Sequence, residues 1–119
     1  MKTILAAVLL YLASAGIAWS TTVPPMEGIA LHYSDRLQGK RTASGEVFDQ
    51  DAMTAAYRSL PFGSKVKVTN LENGNSVVVT VNDRMASRNK NTIDVTRRAA
   101  QELGFEHRGK AQVSIELEQ

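Results

Sequence analysis

Ser76-Val77-Val78-Val79-Thr80-Val81-Asn82-Asp83-Arg84 is a β-branched run that ends abruptly in three polar residues, and its reading decides the fold. With a period of two, Val77, Val79 and Val81 share one face and Val78 and Thr80 the other. Apolar character on both faces suits a strand buried within a small barrel. Asp83 then emerges at the strand's C-terminal end. A carboxylate on the rim of a packed scaffold can be partly buried and still reach a ligand. Asn and Asp also close strands by bonding nearby backbone groups, so on this stretch alone a plain turn is the simpler reading.

Upstream, Ser64 to Asn70 alternates Val66 and Val68 with Lys65, Lys67 and Thr69, a strand with one wet face. Glu72-Asn73-Gly74-Asn75 turns it back, because Asn-Gly between two strand-like runs is a strong hairpin signal, so the two strands pair antiparallel. Before them, Leu60-Pro61-Phe62-Gly63 is a sharp corner that folds two apolar side chains inward. Thr54 to Tyr57 is extended, and Asp49 or Asp51 caps a short helical turn through Met53. Phe48 anchors the long polar loop of Asp35 to Ser44 and the turn at Gly45, on which Glu46 sits.

Gly28 to Ser34 reads as a half-buried strand with Ile29, Leu31 and Tyr33 opposite Ala30 and His32. Downstream, Met85 to Asn91 is polar and flexible, and Thr92 to Val95 forms a short strand. Thr96 then caps a helix over Arg97 to Leu103 that Gly104 ends. Lys110 to Leu117 has the cleanest period-two pattern of the chain. Short strands with so little helix indicate a small barrel, mainly β, rather than a parallel sheet flanked by helices.

Of 119 residues, the first twenty have the layout of a signal peptide, with Lys2, the apolar run Ile4 to Leu12, and small residues favouring cleavage after Ala18 or Ser20. The expected layout is therefore a signal peptide over 1–20, a Pro-containing tether over 21–26 and one domain over 27–119. The expected mature protein is exported to the periplasm or secreted, soluble and monomeric. Cysteine is absent, which rules out a disulfide framework, a thiolate metal site and a bacterial lipoprotein's acylated cysteine, so no lipid anchor is expected. The 14 basic and 12 acidic side chains leave +2, or +1 without Lys2, and the basic residues form no stripe. That balance argues against nucleic acid as a partner.

The acid candidates are Glu46, Asp83 and Asp94, and paired carboxylates are the usual apparatus for cleaving glycosidic bonds. Asp94, two residues before Thr96, reads more simply as support for the helix start. His32 and His107 stand alone, so no metal site is expected, and His32 reads as a wall residue. No cofactor is implied. The sequence has no Ser-centred elbow, phosphate loop or dinucleotide fingerprint.

Gly28-Ile29-Ala30 with Tyr33, Thr42-Ala43-Ser44-Gly45-Glu46, Phe48-Asp49, Thr54-Ala55-Ala56, Leu60-Pro61-Phe62-Gly63, Val68-Thr69-Asn70, Asn82-Asp83-Arg84 and Ile93-Asp94 occur in an order and spacing that resemble the rare lipoprotein A (RlpA) family. The resemblance covers almost the whole chain after the leader. It implies a single six-stranded double-psi β-barrel with one or two short helices. It also implies endolytic lytic transglycosylation of peptidoglycan glycan strands, preferably those free of stem peptides. In that reaction no water attacks: an acid protonates the glycosidic oxygen, and the same group can take the muramic acid 6-hydroxyl proton as the 1,6-anhydro ring closes. Asp83 matches the family's acid and Glu46 its second acidic position, a catalytic partner in charge stabilisation or sugar binding, with Tyr57 and Arg84 in supporting or substrate-binding roles, so Glu46 and Tyr57 are expected within reach of Asp83.

Two departures bear on activity. The family's Thr-Ala-Ala-His is Thr54-Ala55-Ala56-Tyr57 here, and tyrosine, with an unperturbed pKa near ~10, does not exchange protons near neutrality as histidine does. The Gly-Pro that follows Asn-Asp-Arg in the family is Met85-Ala86. The lipobox cysteine and the common C-terminal peptidoglycan-binding domain have no counterpart in this sequence. The enzyme reading therefore has an alternative, a non-catalytic glycan-binding or division-site module.

Overall fold

Val66 and Val68 are fully buried while Lys65 is exposed, as the one-faced pattern requires, and the strand they define pairs with its neighbours on both sides. The computed structural model describes residues 25–86 and 91–118. Its strands are β1 (Met26–His32), β2 (Thr54–Tyr57), β3 (Lys65–Asn70), β4 (Ser76–Asp83), β5 (Ile93–Val95) and β6 (Lys110–Leu117), with one α-helix, α1 (Arg97–Leu103), and a 3-10 turn at Asp35–Leu37. They close into a barrel in the order β1-β5-β2-β4-β3-β6. The β1–β5 and β2–β4 pairs are parallel, and the other four are antiparallel. Closure leaves no free sheet edge among the described strands.

The interior is filled by Val66, Val68, Val79, Val81, Ile93, Val95 and Val113, closed by Leu103 and Phe105, all fully buried. A second cluster of Tyr33, Phe48, Ala56 and Met85 lies apart from this core. Phe48 is nearly fully buried there, its ring 4.3 Å from Tyr33's, which is how the long loop is anchored.

The helix has the expected bounds because both ends are closed locally. Thr96 accepts from the Ala99 amide, and Gly104 takes the left-handed conformation at φ 83°. The β3–β4 hairpin completes the C-terminal end: Asn70 and Asn73 each donate to Leu103's carbonyl at 2.9 Å, an oxygen the helix itself leaves without a partner. Gly74, at φ 80°, closes that hairpin with its amide on Asn70's carbonyl.

Five expectations are corrected. β1 begins at Met26, inside the segment expected as a tether, because Met26 pairs with Ile115. Its core residue is Ala30, fully buried and paired with buried Ile93 and Ala111, while Ile29 and Leu31 are only half-buried. Val78 is 41% exposed, so β4 is buried on one face. Residues 49–53 form a turn closed by Asp49, not a helix. Phe62 is 42% exposed beneath the Arg84 guanidinium, 4.1 Å from its ring, and only Leu60 packs inward. The expected leader, residues 21–24 of the tether, and residues 87–90 of the polar segment lie outside the described residues.

Candidate active site

Strict alternation along β4 would send Asp83 to the face of Val79 and Val81, inside the barrel. A register shift prevents this: Ala55 pairs with Val81 but Ala56 with Asp83, so Asn82 is the extra residue of a bulge. Asp83 therefore rises beside Ala56 and the second apolar cluster, at the rim and half-buried. Asn82 is left 4% exposed, its Oδ1 without a hydrogen-bond partner.

Three donors hold the Asp83 carboxylate. The Tyr33 hydroxyl donates to Oδ2 at 2.8 Å, and the amides of Ala43 and Arg84 donate to Oδ1 at 2.9 Å each. Burial, then the bond to Asp83 and its charge, push the Tyr33 phenol far above its ordinary value, so it remains a donor. Tyr33 is itself fixed by its packing on Phe48 and by buried Gln50, whose Nε2 donates to Tyr33's carbonyl at 3.0 Å and to Asp35 Oδ1 at 2.9 Å. Gln50 Oε1 accepts from the Arg97 amide at 2.8 Å, tying the loop to the start of α1.

Glu46 belongs to the loop that reaches Asp83. That loop is pinned to β4 by the Ser44 amide on Asn82's carbonyl at 3.1 Å, and the Ser44 hydroxyl donates to Glu46 Oε1 at 3.3 Å. Glu46 is exposed and joined to Asp83 through Ala43 and Ser44 rather than directly. Arg84 turns back from the rim: it donates to Leu60's carbonyl at 2.6 Å and covers Phe62, clamping a corner in which Leu60 sits at φ 77°. Tyr57 goes elsewhere. Its ring lies in the barrel core and its hydroxyl donates to Met26 Sδ at 3.7 Å, beside a cavity of about 200 Å³ lined by Leu60, Val66 and Ile115 among others. Among the described residues no hydrogen bond joins Tyr57 to Asp83.

The cap at the helix start is Thr96, and among the described residues no hydrogen bond joins Asp94 to it. Asp94 pairs with Ala56 across β2 as Asp83 does from the other side. Burial first, then the charge of Asp83, raise its carboxyl above the ordinary 3.8, with His32 acting in the opposite direction. His32 is a wall residue, its Nδ1 3.3 Å from Tyr33's carbonyl and Nε2 3.2 Å from Glu106's. Sequence reasoning missed Tyr33 and Gln50 as supports. Tyr33 stood among the residues carrying the family resemblance; Gln50 had no signal.

A closed six-stranded barrel with two parallel pairs, carrying a carboxylate on its rim, defines the class as a double-psi β-barrel. Solved structures agree: a Streptomyces papain inhibitor matches with TM-score 0.65 at 22% identity over 83% of this chain and 98% of its own. A Clavibacter michiganensis expansin in complex with cellohexaose matches with TM-score 0.66 at 21% identity over 81% of this chain and 51% of its own. At those identities the likeness concerns the fold. A family model described as lytic transglycolase matches residues 26–115, and the chain belongs to this family. Relatives named endolytic peptidoglycan transglycosylase RlpA, from Neisseria meningitidis and Pseudomonas aeruginosa, are 48% and 45% identical over 75% and 76% of this chain. The matched stretch is only 37% and 27% of those relatives' own length.

Proposed function

We propose that this chain is an exported, monomeric endolytic lytic transglycosylase that cuts the MurNAc–GlcNAc bonds of peptidoglycan, preferring strands without stem peptides, and leaves 1,6-anhydro-muramic ends. Asp83 is the carboxylate at the reacting bond. The observation that carries this reading is its tether: three donors from three segments hold one half-buried carboxylate at the rim. Such pre-organisation fixes a reacting group without further ordering when substrate arrives. The names of the relatives support the same chemistry. The C1–O4 bond breaks as the leaving oxygen is protonated, and O6 of the same sugar closes on C1 as it gives up its proton. Glu46, exposed on the loop that carries Ala43, takes the sugar-binding role in this reading, and Arg84 supports the rim by clamping the Leu60 corner.

The near-balanced charge, without a basic stripe, fits a glycan better than a nucleic acid. The test is mass spectrometry of peptide-free glycan strands incubated with the purified protein, alongside sedimentation with whole sacculi. Anhydro-ended fragments support the enzyme. Sedimentation with sacculi and no anhydro product would establish the non-catalytic glycan-binding module instead.

A further inference from the structure

Asp83 and Asp94 flank one residue. β2 lies between β4 and β5, and Ala56 is the register partner of both acids, so the two carboxyls stand at one level on the same outward side. Between them lies only β2, whose Ala56 is 2% exposed and packed with Tyr33, Phe48 and Met85, and two strand spacings of about 4.8 Å put the backbones of the acids on the order of 10 Å apart on either side of that packed floor. Both are half-buried and open to solvent. Their surroundings differ. Asp83 accepts three hydrogen bonds, whereas nothing among the described residues donates to the Asp94 carboxyl.

We propose that Asp94 is the second reacting carboxyl of this site, giving the glycosidic oxygen its proton while Asp83 takes the proton of the 6-hydroxyl. The inference rests on the transglycosylase reading and divides between two residues the roles assigned above to one. As C1–O4 breaks, the leaving O4 receives the Asp94 proton; as C1–O6 forms, O6 loses its proton to Asp83. The turnover moves one proton from Asp94 to Asp83, and exchange with water restores both. Three donors suit Asp83 to the accepting half. Asp94's partial burial and Asp83's nearby charge favour the proton-bearing form that the donating half needs, and His32 is the group that opposes them. A Glu46–Asp83 pair lacks this register, since Glu46 lies on an exposed loop.

The test uses two substrates with wild type, Asp94→Asn, Asp94→Glu and Asp83→Asn. One is peptide-free glycan; the other is a GlcNAc–MurNAc disaccharide carrying a nitrophenyl leaving group, which departs without protonation. Asp94→Asn is expected to lose on the order of 10²-fold or more on glycan strands while staying within about 3-fold of wild type on the nitrophenyl substrate. Asp83→Asn loses both substrates. Asp94→Glu, which keeps a proton donor, recovers part of the glycan cleavage. Equal losses of Asp94→Asn on both substrates, or none on glycan strands, would overturn the inference alone. A wild-type protein that forms no anhydro product would overturn the transglycosylase reading and this inference with it.

Discussion

The Tyr33 hydroxyl donates to Asp83 Oδ2 at 2.8 Å across fifty residues of sequence, joining the end of the first strand's segment to the end of the fourth. Tyr33→Phe removes that bond and keeps the ring on Phe48. A hydrogen bond to a charged group contributes about 1.5–3 kcal/mol, so anhydro-product formation is expected to fall roughly 10- to 100-fold. Glycan sedimentation and the melting temperature should change little. An unchanged rate would show that Asp83 is positioned without Tyr33.

Tyr57→Phe should behave differently. Its hydroxyl faces Met26 Sδ and its ring is core, so activity is expected to stay within about twofold and stability to drop by no more than roughly 1 kcal/mol. A large loss of turnover with an intact fold would place Tyr57 in the reaction.

Gln50 is 6% exposed and links Tyr33, Asp35 and Arg97. Gln50→Met keeps its length and strands the Arg97 amide, while Tyr33's carbonyl keeps only the longer contact to His32 Nδ1 at 3.3 Å. At about 1–3 kcal/mol for an unsatisfied buried group, a loss of ~2 kcal/mol should lower the midpoint of thermal unfolding by about 8–16 °C. A shift under ~2 °C would remove Gln50 from the account of how Tyr33 is held.

Asp94 makes stability depend on pH with a definite sign. Its folded-state carboxyl is raised above 3.8, so the folded protein holds the proton more tightly than the unfolded chain. That contribution is complete below 3.8 and is lost as pH rises through the raised value. Asp94→Asn cannot lose it. The variant should unfold at higher urea concentration than wild type at pH 7, with the gap closing as pH is lowered past 3.8. A gap that widens on acidification would contradict the direction.

What could be read in advance was what is decided locally. Thr96 and Gly104 bound the helix through their own side chain and backbone, and Asn73-Gly74 closes its hairpin within a few residues. The phase of β1 was not legible, because Ala30 is set inward by its pairing with buried Ile93 on one side and buried Ala111 on the other. Phe62 is apolar but exposed since a distant cation, Arg84, covers it. The site depended on the same long-range geometry. Asp83 stood out in the sequence, but the bulge at Asn82 that turns it outward, and the shared partner Ala56 that sets Asp94 opposite, follow from parallel pairings that no local pattern encodes.

The central claim, that Asp83 is a reacting carboxylate on a glycan-cutting barrel, is tested most directly by comparing wild type with Asp83→Asn on peptide-free glycan strands. Asn keeps the size and can still accept from Tyr33 or Ala43, but it neither donates nor takes the reacting proton. Wild type is predicted to release fragments ending in 1,6-anhydro-muramic acid, and Asp83→Asn to sediment with sacculi as wild type does while releasing none. Anhydro product from Asp83→Asn at the wild-type rate would contradict the account.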